Sequence, residues 1–235
     1  MDVVIKLGAV LQGADWIALA AFVGGWAGYA WFAHHRAATT PSILASTNRI
    51  RRAWMLQTTY REVRVVDGIV LQALSSSPAF FASTTILIIG GLLALLGTTD
   101  KTVELVREIP FAVRTAPLVF DLKILLMLMV FVYAFFRFTW AIRQYTFGAL
   151  LVASAPEAEA FATQGLSRDA FADKAGRIVG LAAETFNDGL RAYYFSFAAV
   201  GWFVSPLVFM VGTVVVIVIL YRREFRSDVL GVLNA

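Results

Sequence analysis

Residues 117–144, PLVFDLKILLMLMVFVYAFFRFTWAIRQ, decide the fold class of this chain. The run is long enough for one helix to cross a bilayer, which takes roughly 20 apolar residues. It carries Asp121 and Lys123 near its start and Arg137 inside it. An arginine at that depth is costly unless it reaches the interface or pairs with a carboxylate. Arg137 therefore marks the first candidate site.

The composition of the whole chain excludes a soluble domain. Of the 235 residues, 59% are hydrophobic and 15% are charged, against roughly 45 to 50% and about 25% in soluble proteins. The chain has no cysteine, which excludes disulfides, thiolate nucleophiles and cysteine-ligated metal centres. Its net charge is +4, and the basic residues flank apolar runs. We therefore expect anionic lipid head groups as partners, and no nucleic acid.

The apolar runs predict an all-α membrane protein, a single domain over residues 1–235 with four transmembrane helices. The predicted spans are residues 15–33, 79–96, 117–142 and 192–221. Pro206 lies in the middle of the last run, and we interpret it as a bend fixed by packing rather than a hinge. Residues 1–14 predict a short interfacial helix that is retained, because they lack the pattern of a signal peptide.

Two basic amphipathic helices are predicted between spans one and two and between spans three and four. In residues 48–74, apolar side chains recur every three or four positions, while Arg49, Arg52 and Arg64 fall on other faces. These arginines are candidate lipid contacts, either through plain orientation by positive charge or through a specific lipid or protein contact. Pro78 then predicts a new helix start, and Ser167 predicts the N-cap of the helix that precedes span four.

Small residues mark two candidate helix-packing faces. Gly24 and Gly28 form a GxxxG pattern in the first span, and Gly90 and Gly91 are adjacent in the second. Glycines at such positions allow two helix backbones to approach closely in a membrane. We expect these faces to pack against another helix, of this chain or of a second one.

The charges near the third span predict a candidate network. Lys123 and Arg137 are fourteen residues apart, which is about 21 Å along a helix, and they point within about 40° of each other. Arg137 is therefore within reach of the interface, or of a carboxylate beside a neighbouring span. The residues of this candidate network are Arg137, Lys123, Asp121, Asp67 and Asp188, with Glu184 as a further possible partner. Structural pairing is the favoured interpretation, and an anion or substrate route is the alternative.

The residue types needed for catalysis do not occur in a recognisable pattern. His34 and His35 are the two histidines, and adjacent histidines cannot hold a membrane haem from facing helices. The sequence also lacks the motifs of phosphate-binding loops, zinc proteases, serine hydrolases and EF-hands. We predict no cofactor and no enzymatic activity.

Five segments of the chain resemble a known family. They are NRIRRAWM (48–55), REVRVVDG (61–68), SSSPAFFASTTILIIGGLLALLG (75–97), FFRFTWAIRQY (135–145) and YRREFRS (221–227). Together they resemble the domain of unknown function 599 family of bacterial and plant integral membrane proteins, from about Ala14 to Ser227. The resemblance implies a multi-span membrane architecture. It implies no activity.

Orientation and function follow from the four predicted spans. Eleven basic residues fall in the two connections on one side, 34–75 and 143–191, against seven on the side that carries both termini. The positive-inside rule then predicts an inner-membrane protein with both termini outside the cytoplasm. We predict a non-catalytic structural or accessory subunit that packs into a homo-oligomer or a larger complex. A small channel or transporter with a charged route near Arg137 and Lys123 is the alternative.

Overall fold

The computed structural model describes residues 11–36, 40–98 and 116–234, and the regular secondary structure in these ranges is helical. The predicted interfacial helix at residues 1–14 lies mostly outside them, as does most of the connection between the second and third spans. The helices are α1 (Gly13–Arg36), α2 (Ile43–Thr58), α3 (Val65–Leu96), α4 (Pro117–Ala153), α5 (Ala158–Thr163), α6 (Arg168–Val200), α7 (Pro206–Phe225) and α8 (Asp228–Asn234).

Four helical stretches of the described chain are long and apolar enough to cross a membrane. They are α1, α3, α4 and the stretch Pro206–Asn234, which combines α7 and α8. The predicted all-α membrane architecture is confirmed. The protein is therefore an integral membrane protein, and its long helices satisfy their backbone groups internally, as the lipid core requires.

The predicted amphipathic helix over residues 48–74 is wrong, because the chain turns in its middle. α2 ends at Thr58, and α3 begins at Val65. The three-and-four periodicity continues across this turn by coincidence, and Val63 and Val66 are exposed. The predicted helix start at Pro78 is also wrong, because α3 runs through this residue without a break. Membrane helices tolerate a proline where soluble helices do not.

The predicted fourth span, residues 192–221, is not one helix. α6 ends at Val200, a short 3-10 turn covers Gly201–Phe203, and α7 begins at Pro206. The Ser205 hydroxyl accepts a hydrogen bond from the backbone N–H of Val208 at 3.1 Å. Ser205 is thus the N-cap of α7, and Pro206 takes the first helical position, where its missing N–H costs nothing.

The end of α6 and α7 form an antiparallel hairpin. Arg223 donates to the Tyr194 hydroxyl at 2.9 Å, and the rings of Trp202 and Phe209 stack with centroids 5.3 Å apart. Residues later in α6 therefore contact residues earlier in α7, as expected for two helices that run in opposite directions. The hairpin can close tightly because a Cβ on Gly201 would lie 3.1 Å from Val208 Cγ1.

The chain divides into two compact units. We call the first the aromatic unit, whose described residues are 11–36, 85–98, 116–134 and 190–223. We call the second the charge-paired unit, with described residues 40–84, 135–189 and 224–234. α3, α4 and α6 each contribute residues to both.

Rings hold the aromatic unit together. Phe22 lies 5.7 Å from Phe195 and 4.9 Å from Phe209, measured between ring centroids. The Trp26 ring stacks on Phe195 at 5.3 Å. A second cluster contains Leu92, Phe120, Ile124 and Phe131, from α3 and α4.

Five helical segments pass through the aromatic unit, and successive segments alternate in direction. α1 is parallel to α7, because Phe22 meets Phe209 while Phe32 meets Tyr221. The α4 segment is antiparallel to the end of α6, where Phe120 meets Phe203 and Phe131 meets Tyr193. The α3 segment is antiparallel to the α4 segment. It begins at Thr85, whose hydroxyl is hydrogen-bonded to that of Tyr193 at 2.7 Å, and its later residue Leu92 packs near Phe120.

Close helix approach organises the charge-paired unit. Its core contains Met55, Leu71, Tyr145, Val152 and Val179 together with three alanines of α6. A Cβ on Gly176 would lie 2.9 Å from the Cα of Arg52, and one on Gly180 would lie 2.9 Å from Asn48 Oδ1. The small face of α6 therefore lets the backbone of α2 come into direct contact.

Candidate functional site

Asp67 is the centre of a hydrogen-bond cluster in the charge-paired unit. It lies in the first turn of α3, where the helix dipole stabilises a negative charge, and it is fully buried. Its Oδ1 accepts from Trp54 Nε1 at 2.7 Å, from the Thr58 hydroxyl at 3.3 Å and from Arg61. These donors come from the end of α2 and from the turn after it. The cluster thus fixes the turn that interrupts the predicted helix.

Two arginines bind the backbone carbonyls at the adjacent helix ends. Arg64 donates to the carbonyls of Thr58 at 3.1 Å, Ala155 at 2.9 Å and Pro156. Arg168 donates to the carbonyls of Thr59 and Ala158, and its guanidinium lies 4.2 Å from the Tyr60 ring centroid. Carbonyls at or just after the C-terminal end of a helix, such as those of Thr58 and Ala155, have no intrahelical donor. Both arginines therefore have internal structural roles, although Arg64 was predicted to contact lipid.

Arg137 forms an ion pair with Asp188 of α6. Its side chain is 31% exposed and that of Asp188 is 21% exposed. Three carboxylates of neighbouring helices are the predicted partners of Arg137, namely Asp67, Glu184 and Asp188, and the structure places Asp188 beside it. Removing one member of a half-buried pair leaves the other without compensation, which is costly in a low-dielectric setting.

A second buried carboxylate lies in the aromatic unit. Asp15, at the start of α1, is 8% exposed, and its Oδ1 accepts from Trp202 Nε1 at 2.7 Å. Lys123 is 5% exposed, and its Nζ lies 5.7 Å from the ring centroids of Trp202 and Phe203. The ammonium thus lies against two aromatic rings, an arrangement that favours a cation.

Of the five residues of the predicted network, the structure places Arg137 and Asp188 in direct contact. Asp67 belongs to the cluster around Trp54. Lys123 and Asp121 belong to the aromatic unit, where Asp121 is half-buried. The part played by Asp15 was missed, because an acidic residue at a helix start is ordinarily an exposed cap.

The arginines of α2 also have partners within the chain. Arg49 donates to the Ser46 hydroxyl at 3.2 Å and to Asn234. Arg52 forms ion pairs with Asp169 at 3.0 Å and with Asp173. Hydrogen bonds to Asp173 and Asp169 raise the pKa of Arg52, whereas burial lowers the pKa of the neighbouring Arg51.

The predicted packing glycines are all exposed. A Cβ added at Gly24, Gly28, Gly90 or Gly91 would meet nothing within 4 Å among the described residues. The glycines that do pack against a helix of this chain include Gly176 and Gly180. They form a GxxxG pattern of their own, and it was missed because α6 is less apolar than the spans.

One protein family matches almost the whole chain. Its model covers residues 17–229, and its description is "Protein of unknown function, DUF599". Comparison with curated proteins and with solved structures found no match. The family match spans far more than half of the 235 residues, so the resemblance noted in the sequence is confirmed, and the chain belongs to the DUF599 family.

Proposed function

We propose that this protein is a non-catalytic structural or accessory subunit of the bacterial inner membrane, which packs against copies of itself or against other subunits. The observation that carries the proposal is the environment of Gly24 and Gly28. They lie on the exposed face of α1, opposite the buried Phe22 and Tyr29. A side chain at either glycine would meet nothing within 4 Å in the described chain, so the small surface is available to a second helix.

The state of the buried charges supports the same proposal. Asp67, Asp15 and the Arg137–Asp188 pair each have a hydrogen-bonding partner within the chain. Charges that are held by fixed partners stabilise an architecture, even though Asp67 Oδ2 and Arg137 Nε are themselves buried without a partner in the described chain. A transport route instead needs groups that exchange partners with a moving ion.

A channel or transporter is the second candidate, and one observation favours it. Lys123 is almost completely buried on α4, a helix long and apolar enough to span the membrane. Ionisable residues inside spans are uncommon and often lie along ion or proton pathways. Under this alternative, Lys123 and Asp15 would form part of the route.

The α6–α7 hairpin revises the proposed orientation. If the end of α6 is counted as a crossing beside the four apolar stretches, the chain crosses five times, which supports termini on opposite sides. Fourteen basic residues then fall on one side, and Lys6, Lys101, Arg107 and Arg114 fall on the other. The fourteen are Arg36, Arg49, Arg51, Arg52, Arg61, Arg64, Arg143, Arg168, Lys174, Arg177, Arg191, Arg222, Arg223 and Arg226. This asymmetry favours a cytoplasmic C-terminus and an external N-terminus. A C-terminal reporter that is active only outside the cytoplasm tests it, and activity there contradicts the orientation.

Native mass spectrometry of gently solubilised membranes tests the subunit role. We expect stable particles that contain more than one copy or additional subunits. Reconstitution into liposomes tests the alternative, which requires flux of ions or solutes. A strictly monomeric particle with measurable flux overturns the proposal.

A matched pair of variants locates the contact. Gly24→Leu together with Gly28→Leu fills the exposed face of α1, so we expect the associated species to dissociate while the monomer remains folded. Val23→Leu is the control, because Val23 is also exposed on α1 but points away from the glycines. Unchanged association in the double glycine variant removes α1 as the contact surface.

A further inference from the structure

A cavity in the charge-paired unit is lined by residues of α4. Its volume is about 340 Å³, and it is lined by Phe136, Arg137, Thr139, Trp140 and Arg143. The lining thus combines two guanidinium groups with two large aromatic side chains. None of the predictions from the sequence concerned this combination.

The cavity lies at the end of the third span that the sequence predicts, residues 117–142. Arg143 directly follows the predicted span 117–142, and it is exposed. Trp140 is 47% exposed and Phe136 is 64% exposed. Tryptophan is enriched at the level of the lipid head groups, with apolar residues towards the acyl chains. The order Phe136, Trp140, Arg143 therefore follows the change from acyl chain to head group.

The charge of the cavity is positive. Arg137 uses a guanidinium nitrogen for Asp188, and its Nε is buried without an acceptor in the described part of the chain. Arg143 has no hydrogen-bond or ion-pair acceptor among residues 11–36, 40–98 and 116–234. The Thr139 hydroxyl is occupied by the Phe135 carbonyl at 3.0 Å. The carboxylate of Asp188 thus balances at most one of the two guanidinium groups.

We propose that this cavity binds the phosphate group of an anionic phospholipid. Arg143 donates to the phosphate oxygens, Arg137 adds positive charge behind it, and Trp140 and Phe136 pack along the glycerol and the first acyl carbons. A guanidinium is well suited to a phosphate because its parallel N–H groups form a bidentate bond. Arg49, Arg52 and Arg64 fit this role less well, since their donors already have acceptors within the chain. The site depends on membrane insertion alone, and not on the subunit role proposed above.

Lipid titration in detergent or in nanodiscs of phosphatidylcholine tests the site. Phosphatidylglycerol should bind to the wild-type protein in native mass spectra and raise its Tm, whereas further phosphatidylcholine should do neither. Arg143→Gln should weaken phosphatidylglycerol binding about tenfold, since it removes a charge-assisted hydrogen bond. Arg177→Gln is the control, because Arg177 is exposed in the same unit and its loss changes the net charge equally.

Three results would overturn the proposal. The first is equal lipid affinity for Arg143→Gln and Arg177→Gln. The second is displacement of the lipid by inorganic phosphate at similar concentration, which would identify a site for free anions. The third is wild-type affinity for phosphatidylglycerol in Arg143→Lys, which would contradict bidentate binding. This variant keeps the charge, should bind the lipid more weakly than wild type, and replaces Arg143→Gln if that protein does not fold.

Discussion

Two GxxxG patterns in this chain have the same spacing and opposite environments. Gly176 and Gly180 of α6 face the backbone and the side chains of α2, and a Cβ at either would lie 2.9 Å from an atom of that helix. Gly24 and Gly28 of α1 are exposed, and a Cβ there meets nothing among the described residues. The comparison teaches that the pattern marks a surface suited to close approach. The rest of the fold decides whether that surface is used within the chain.

Gly176→Leu should have the largest effect on stability. The atom in the way is the Cα of Arg52, and a helix backbone cannot move aside as a flexible side chain can. We expect a loss of at least about 3 kcal/mol in the free energy of unfolding, seen as little monodisperse protein in size-exclusion chromatography. A well-folded Gly176→Leu protein would show that α2 and α6 are not in direct contact.

Gly180→Ala should have an intermediate effect. Its nearest neighbour is Asn48 Oδ1, the end of a side chain that is able to rotate. That rotation breaks the 2.7 Å hydrogen bond from Arg51, so we expect a loss of about 1 to 2 kcal/mol. Thermal unfolding in detergent measures it. Combination with Asn48→Ala should recover part of the loss, and no recovery would place the strain elsewhere.

Arg52→Gln should lower Tm by less than Gly180→Ala does. The substitution removes the ion pairs with Asp169 and Asp173 beside the glycine contact, but these groups are exposed and screened by water and salt. The difference in Tm from wild type should therefore shrink as salt is raised. A salt-independent difference would indicate packing by the arginine stem instead.

Gly24→Ala should have the smallest effect on the isolated monomer. The added methyl group meets nothing within the described chain, so we expect the stability to remain within about 0.5 kcal/mol of wild type. Thermal unfolding of monomeric protein is the measurement. A loss comparable with that of Gly180→Ala would make the two patterns equivalent and remove the comparison.

The membrane class was readable from the sequence because it depends on long apolar runs. α1, α3 and α4 each contain a predicted span. Asp188 was one of three carboxylates proposed for Arg137, since helical spacing and membrane depth restrict which acidic residues approach it. These properties are local, or depend on how far each residue lies from the membrane surface.

The positions at which helices are interrupted could not be predicted from the sequence, because the dipeptide Ser-Pro occurs in two different structural contexts. Ser77–Pro78 was interpreted as a helix start and lies inside α3. Ser205–Pro206 was interpreted as a bend and begins α7. Packing distinguishes them, because Gly201 and Gly212 allow α7 to fold back on α6. Asp15 and Asp67 each accept a hydrogen bond of 2.7 Å from an indole N–H. The donor of Asp15 is Trp202, 187 positions later in the chain, and the donor of Asp67 is Trp54, 13 positions earlier. Sequence spacing does not predict such contacts.

The tight turn between α6 and α7 has a consequence for biogenesis. α6 carries several charges and is absent from the four stretches apolar enough to span a membrane on their own. It is followed within a few residues by α7, which belongs to one of those stretches. The translocon therefore receives α6 as a helix that is less apolar than the four stretches. We expect the two helices to enter the bilayer together, so that α6 is inserted only after α7 has been synthesised.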